Sequence, residues 1–226
     1  MRRFIVSLAA LALLGLAGCA TGAGTGASPS TPGPGATSAG TSPGRTPNTS
    51  PLPEGQYRVR YGWAVPSKSV TVDNPVSIPS DPSAIPLPHL VEIHTGDHAN
   101  ERPGYGRISF YFEGGFPGYK FRYTDKVLTQ GGGEPVPLEG NSFLEIVFNP
   151  AQAHDNDGKS TIRFASNKRI GFTNLKSYGF AGDFEGYLAY GLGIAVKPGS
   201  DQVLPIRIGE LRRGDIYIVA VDVQVG

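Results

Sequence analysis

Residues 105–113 read Tyr105-Gly106-Arg107-Ile108-Ser109-Phe110-Tyr111-Phe112-Glu113, with Ile108, Phe110 and Phe112 alternating with Arg107, Ser109, Tyr111 and Glu113. A period of two puts the apolar residues on one face of an extended chain and the polar ones on the other, the pattern of a half-buried strand. The same period recurs downstream. Tyr119, Phe121 and Tyr123 alternate with Lys120 and Arg122, and Leu144, Ile146 and Phe148 alternate with Phe143, Glu145 and Val147. The second run is apolar on both sides apart from Glu145, which predicts a strand covered on both faces. Ile162 and Phe164, Phe172 and Leu175, and residues 184–192, 203–208 and 216–225 continue the series. Turn formers separate these runs at Gly114-Gly115, Pro117-Gly118, Gly131-Gly132-Gly133, Asp157-Gly158 and Pro198-Gly199. Asp157-Gly158 ahead of Ser160-Thr161-Ile162-Arg163-Phe164 predicts a hairpin. No 11-residue window carries a capped helical period. The fold class is therefore all-β, an antiparallel β-sandwich of about nine to eleven short strands. Residues 64–88, with Pro66, Pro75, Pro79, Pro82, Pro86 and Pro88, read as a loop-rich lead-in.

Upstream of Tyr57 the composition changes twice. Met1-Arg2-Arg3 is basic, Phe4 to Ala17 is apolar apart from Ser7, and Leu16-Ala17-Gly18-Cys19 follows. A basic start, a short apolar run and small residues describe an export signal over 1–18, too short to span a bilayer. The four residues ending at Cys19 resemble the lipobox of bacterial lipoproteins, in which the cysteine sulfur is acylated and becomes the first residue of the mature chain. Two or three acyl chains, at about 0.8 kcal/mol per buried methylene, make a durable anchor. Ala20 to Pro53 holds 7 Gly, 7 Pro, 7 Thr, 5 Ser and 5 Ala in 34 residues. Such a chain buries too little apolar area to offset its ordering entropy, so 19–56 is read as a disordered linker behind the lipid. Residues 57–226 form the all-β domain.

Composition excludes several classes. The domain from Tyr57 onward has 17 Lys/Arg against 18 Asp/Glu, without the basic surplus that nucleic acid requires. The single cysteine rules out an internal disulfide and any cysteine-based metal site. Residues 153–160 (Ala153-His154-Asp155-Asn156-Asp157-Gly158-Lys159-Ser160) match a relaxed P-loop, yet Asp155 and Asp157 would repel phosphate and a strand pattern follows. No nucleotide is expected. The same acidic turn lacks the remaining ligands of a calcium loop. His89, His94 and His98 with Glu92 and Asp97 suggest zinc, but strand spacing puts His89 opposite the other two and Gly96 interrupts the run, so no metal and no cofactor are assigned.

A set of motifs in fixed order follows His98: Pro103-Gly104-Tyr105-Gly106-Arg107, Pro117-Gly118-Tyr119, Gly133-Glu134-Pro135-Val136-Pro137-Leu138, Gly182-Asp183-Phe184-Glu185-Gly186, Tyr190-Gly191-Leu192-Gly193 and Val221-Asp222-Val223. Together they resemble the AMIN-like domain of actinobacterial lipoproteins, over roughly residues 90–225. That family is named for its similarity to the AMIN domain, an all-β module that places cell-wall amidases and secretins by binding peptidoglycan. The resemblance implies an all-β fold and a wall-associated role, with no assigned activity. Two positions depart from the family pattern: Gly106 stands where an acidic residue usually precedes the arginine, and Gly214-Asp215 where Pro-Arg is common.

Candidate ligand contacts come from residue chemistry. Flat rings with a polar rim suit sugar faces, which singles out Trp63, Tyr105 and Tyr119. Arg107 and Lys120, with Arg122, suit carboxylates. Asp183 and Glu185 flank Phe184, so both carboxylates point one way from an extended chain. They would accept hydrogen bonds from sugar hydroxyls or, at the right separation, serve a glycoside hydrolase. No nucleophile elbow or peptidase helix is present. The function expected is a non-catalytic lipoprotein on the outer face of the cell membrane, whose domain binds cell-wall glycan or an envelope protein. The alternatives are a wall hydrolase using Asp183 and Glu185, and a carrier of lipid or a soluble ligand between the sheets.

Overall fold

The computed structural model describes residues 52–81, 83–197, 199 and 203–226. Cys19, the export signal and nearly all of the linker lie outside them. Among the described residues there are eleven strands and no helix: β1 (Tyr57–Ala64), β2 (Val70–Val72), β3 (His89–His98), β4 (Tyr105–Glu113), β5 (Tyr119–Thr124), β6 (Ser142–Phe148), β7 (Phe164–Ala165), β8 (Leu175–Phe184), β9 (Tyr187–Ile194), β10 (Ile206–Arg213) and β11 (Ile216–Gln224). They form two sheets, β1-β10-β11-β4-β3-β7 and β2-β5-β6-β9-β8. Packing begins slightly ahead of β1, since Leu52 is buried and the Gly55 N–H donates to the Arg212 carbonyl at 2.8 Å.

The alternation in 105–113 places Ile108, Phe110 and Phe112 inside the sandwich, all fully buried, against Leu144, Ile146 and Phe148 of the second sheet. Rings fill the space between the sheets. Phe110 meets Phe148 at 5.0 Å and Tyr190 at 5.2 Å, and Phe112 meets Phe148 at 5.0 Å. Removing one of these rings would cost about 3–5 kcal/mol. At one side of the sandwich the core turns polar. The fully buried Glu210 accepts hydrogen bonds from Arg58 and Arg60 of β1, from Asn74 after β2 and from the Tyr119 hydroxyl of β5. This network ties the first sheet to the second.

β6 is covered on both faces, as its sequence predicts, and the outer cover is residues 125–141. Val127 and Val136 pack there with Ala181 and Ala189 over Phe143 and Val147. Gly193 makes this possible, because a Cβ at that position would run into the Glu139 backbone. The segment thus lies flat on β8 and β9.

Four expectations are corrected. β3 continues through Gly96, and a bulge between Leu90 and Glu92 re-registers it, so that His89, Glu92, His94 and His98 pair with Glu113, Tyr111, Ser109 and Tyr105 on one face. The extra residue, Val91, shifts the side-chain parity that the spacing argument had assumed. The hairpin expected at Asp157-Gly158 forms but is short: the Thr161 N–H donates to the Ala153 carbonyl at 3.0 Å, and residues 162–164 leave it. The acidic turn closes with a bridge between His154 and Ser160, and Phe164–Ala165 then pairs in parallel with the open edge of β3. Residues 184–192 are two strands joined by a tight turn at Glu185-Gly186, where φ is +50° and +78°, the geometry of a type I′ hairpin. The lead-in contributes a strand of its own, β2, which pairs with β5.

Candidate functional site

Because Tyr119 and Phe121 point into the core, Lys120 and Arg122 stand on the outer face of the second sheet. Register places Thr71 of β2 beside Lys120, Val147 of β6 on its other side, and Glu145 beside Arg122. The 125–141 cover stops short of this corner and leaves a groove of about 460 Å³, lined by Ser69, Thr71, Asp73, Lys120, Arg122, Gln130, Glu145 and Tyr187 among others. Arg122 Nε donates to Glu145 Oε2 at 2.7 Å, which neutralises that pair within the groove. Lys120 has no hydrogen bond or ion pair among the described residues, and neither has the Asp73 carboxylate. Ser69 Oγ is shielded from solvent and lacks a partner among them. Tyr187, at the β8–β9 turn, keeps 49% of its surface exposed and borders the groove. Unpaired polar groups beside an exposed ring suit a polar ligand with an apolar face.

Three of the residues singled out from sequence meet on the outer face of the first sheet. The Arg107 guanidinium lies 5.6 Å from the Tyr57 ring centre and 5.2 Å from that of Tyr105. Arg207 lies 5.0 Å from Tyr105 and 4.6 Å from Trp63. Tyr57, Arg107, Tyr105, Arg207 and Trp63 so alternate as a ladder, with His98 stacked on Tyr105 at 4.6 Å. Beneath it the fully buried Asp222 accepts from Arg107 Nε at 2.6 Å and from Arg207 Nε at 2.8 Å. Desolvation lowers the Arg107 pKa, but the hydrogen bond and charge of Asp222 outweigh it, so the guanidinium is held above its ordinary value. The donors and acceptors at its base are satisfied internally, and Tyr105 is only 5% exposed.

The other candidates are apart from these two places. The Tyr119 ring is buried and its hydroxyl bonds Glu210. Burial raises its pKa, and the Glu210 charge adds to the effect. Asp183 and Glu185 sit in different surroundings at the β8–β9 hairpin. Asp183 Oδ2 accepts from the Ala153 N–H at 2.8 Å and contacts His154 Nδ1 at 2.7 Å, bracing residues 153–154, whereas Glu185 is exposed at the turn. His89, His94 and His98 each contact a different carboxylate, Glu113, Glu92 and Glu101, and no group of three metal-ligating side chains occurs among the described residues. Sequence reasoning missed Arg207, Tyr57 and Asp222 in the ladder, and Ser69, Thr71, Asp73 and Tyr187 at the groove.

A family model described as the AMIN-like domain matches residues 88–224. No curated protein and no solved structure matches the chain. The matched residues start after β2, so one wall of the groove and two rungs of the ladder come from residues ahead of the match.

Proposed function

We propose, since this chain belongs to the AMIN-like domain family, that it is a non-catalytic binding module of the cell envelope whose second sheet holds wall polymer in the Lys120 groove. The observation that carries the reading is the groove itself: about 460 Å³ of open space beside unpaired polar side chains and an exposed tyrosine ring. The ladder is the rigid counterpart that fixes the first sheet. Leu16-Ala17-Gly18-Cys19 supports acylation of Cys19 and residence on the outer face of the membrane, and residues 20–53 supply the reach into the wall.

The two alternatives have less support. A hydrolase of the expected type needs its two carboxylates to face one bond, whereas Asp183 has Oδ2 engaged by residues 153–154 and Oδ1 shielded from solvent, and Glu185 is exposed at the turn. A carrier needs room between the sheets, where the rings of Phe110, Phe112, Phe148 and Tyr190 are packed. The test is sedimentation of the full chain with purified wall. Retention is expected for the wild type, is expected to fall in a Lys120→Gln, Tyr187→Ala double variant, and is expected to persist in Trp63→Ala. Retention that is unchanged in the groove variant but lost in Trp63→Ala would move the site to the ladder.

A further inference from the structure

We propose that the groove selects a group bearing one free carboxylate and one free ammonium, the amino-acid end of a wall peptide, in preference to a neutral sugar; this rests on the reading of the groove as the binding surface. The charges that line it divide into two kinds. Arg122 and Glu145 satisfy each other. Lys120 and Asp73 are left, one positive and one negative, without partners among the described residues.

Their placement follows from register. Thr71 stands opposite Lys120 and Val72 opposite Tyr119, so Asp73, next along the chain, falls diagonally from Lys120 on the same face. Diagonal neighbours of this kind lie about 7–8 Å apart, within reach of long side chains. In a diamino dicarboxylic acid linked to the peptide through one amine, the far carbon keeps both a carboxylate and an ammonium, which fit between the two side chains with each charge facing its opposite. With no ion pair between Lys120 and Asp73 to break, the ligand gains both charge contacts without displacing one, and an exposed Lys–Asp contact would be weak in any case. Ser69 Oγ, shielded and unpaired on the same strand face as Thr71 and Asp73, is a donor for the carboxylate. A ligand with hydroxyls alone would satisfy neither charge. Ser69, Thr71 and Asp73 all precede the residues matched by the family model and Lys120 lies within them, so the ammonium half of the selectivity belongs to this chain's own lead-in.

The test is calorimetric titration of the full chain with four probes: an N-terminally blocked wall-type tripeptide ending in a diamino dicarboxylic acid whose far carbon carries a free amine and a free carboxylate, the same peptide acetylated on that amine, the same peptide amidated on that carboxylate, and neutral tetra-N-acetylchitotetraose. The tripeptide with both groups free is expected to bind, with acetylation and amidation each weakening it about tenfold, the effect of one lost charge contact. Lys120→Gln is expected to abolish the sensitivity to amidation, and Asp73→Asn the sensitivity to acetylation. Tetra-N-acetylchitotetraose binding as well as the tripeptide, with both variants indifferent, overturns the proposal but leaves wall binding through the groove intact. No binding of any probe by a chain that still sediments with wall also overturns it, whereas failure to sediment defeats the underlying reading itself.

Discussion

Asp222 holds Arg107 and Arg207 together. Its carboxylate takes Arg107 through Nε at 2.6 Å and Nη2 at 2.9 Å, and Arg207 through Nε at 2.8 Å and Nη2 at 2.7 Å, while itself fully buried. Two guanidinium ions side by side would repel without that charge, and the rings of Tyr57, Tyr105 and Trp63 would lose their cations.

Asp222→Asn leaves both cations partly buried with one neutral acceptor between them. Breaking a buried pair costs about 3–5 kcal/mol. With each arginine about a quarter exposed, the lower end applies, and a loss near 3 kcal/mol lowers the midpoint of a domain this size by roughly 6–12 °C. Differential scanning calorimetry reads it directly. A shift under about 2 °C would show that solvent screens the ladder and that it contributes little.

Alkaline pH should destabilise the fold. Burial pushes the phenols of Tyr119, Tyr123 and Tyr190 above their ordinary value, with the Glu210 charge adding at Tyr119. A folded pKa above the unfolded one means that the stability from these groups is fully present below about pH 10 and is lost as pH rises through the folded values. Denaturant midpoints are expected to stay level through neutral pH and fall above about 10. Phenolate absorbance should show these three of the ten tyrosines ionising only with unfolding. Smooth titration of all ten in the folded protein would contradict the burial of these phenols.

Gly193→Ala should cost more than Gly191→Ala. At 193 the new methyl meets the Glu139 backbone, which cannot yield without lifting the 125–141 cover. At 191 it meets Leu138 Cδ1 and Val127 Cγ2 at 2.9 Å, ends of side chains that can rotate away, and Val127 Cβ at 3.1 Å, which has to give by only a few tenths of an ångström. Overpacking of this kind costs about 1–3 kcal/mol, with 193 at the top of that range and 191 at the bottom. Urea unfolding of both variants measures the order, and the reverse order would mean that the cover is not seated on β9 as described.

Most of the architecture was legible in a period of two. Phe110 and Ile146 declare their strands because each sits in an uninterrupted alternation, and the double apolar pattern of 143–148 foretold a cover on both faces. What escaped has physical reasons. The bulge at Val91 reverses side-chain parity without any change in composition. Glu210 and Arg212 extend β10 past Ile208, but a carboxylate pointing into the core disguises a buried strand as a polar turn. β2 hides in a proline-rich stretch and exists by pairing with β5. At the groove, Lys120 could be placed on an outer face from its alternation with Tyr119 and Phe121, which also sends Tyr119 inward. Ser69, Thr71 and Asp73 could not, since nothing in 64–88 announces a strand beside β5.

Wall affinity and the groove are joined by one measurement: the dissociation constant of the full chain for purified wall, compared between wild type and Lys120→Gln. The account predicts weaker binding by about five- to tenfold, with an unchanged melting temperature because Lys120 is exposed. Equal affinity in the two proteins would contradict it.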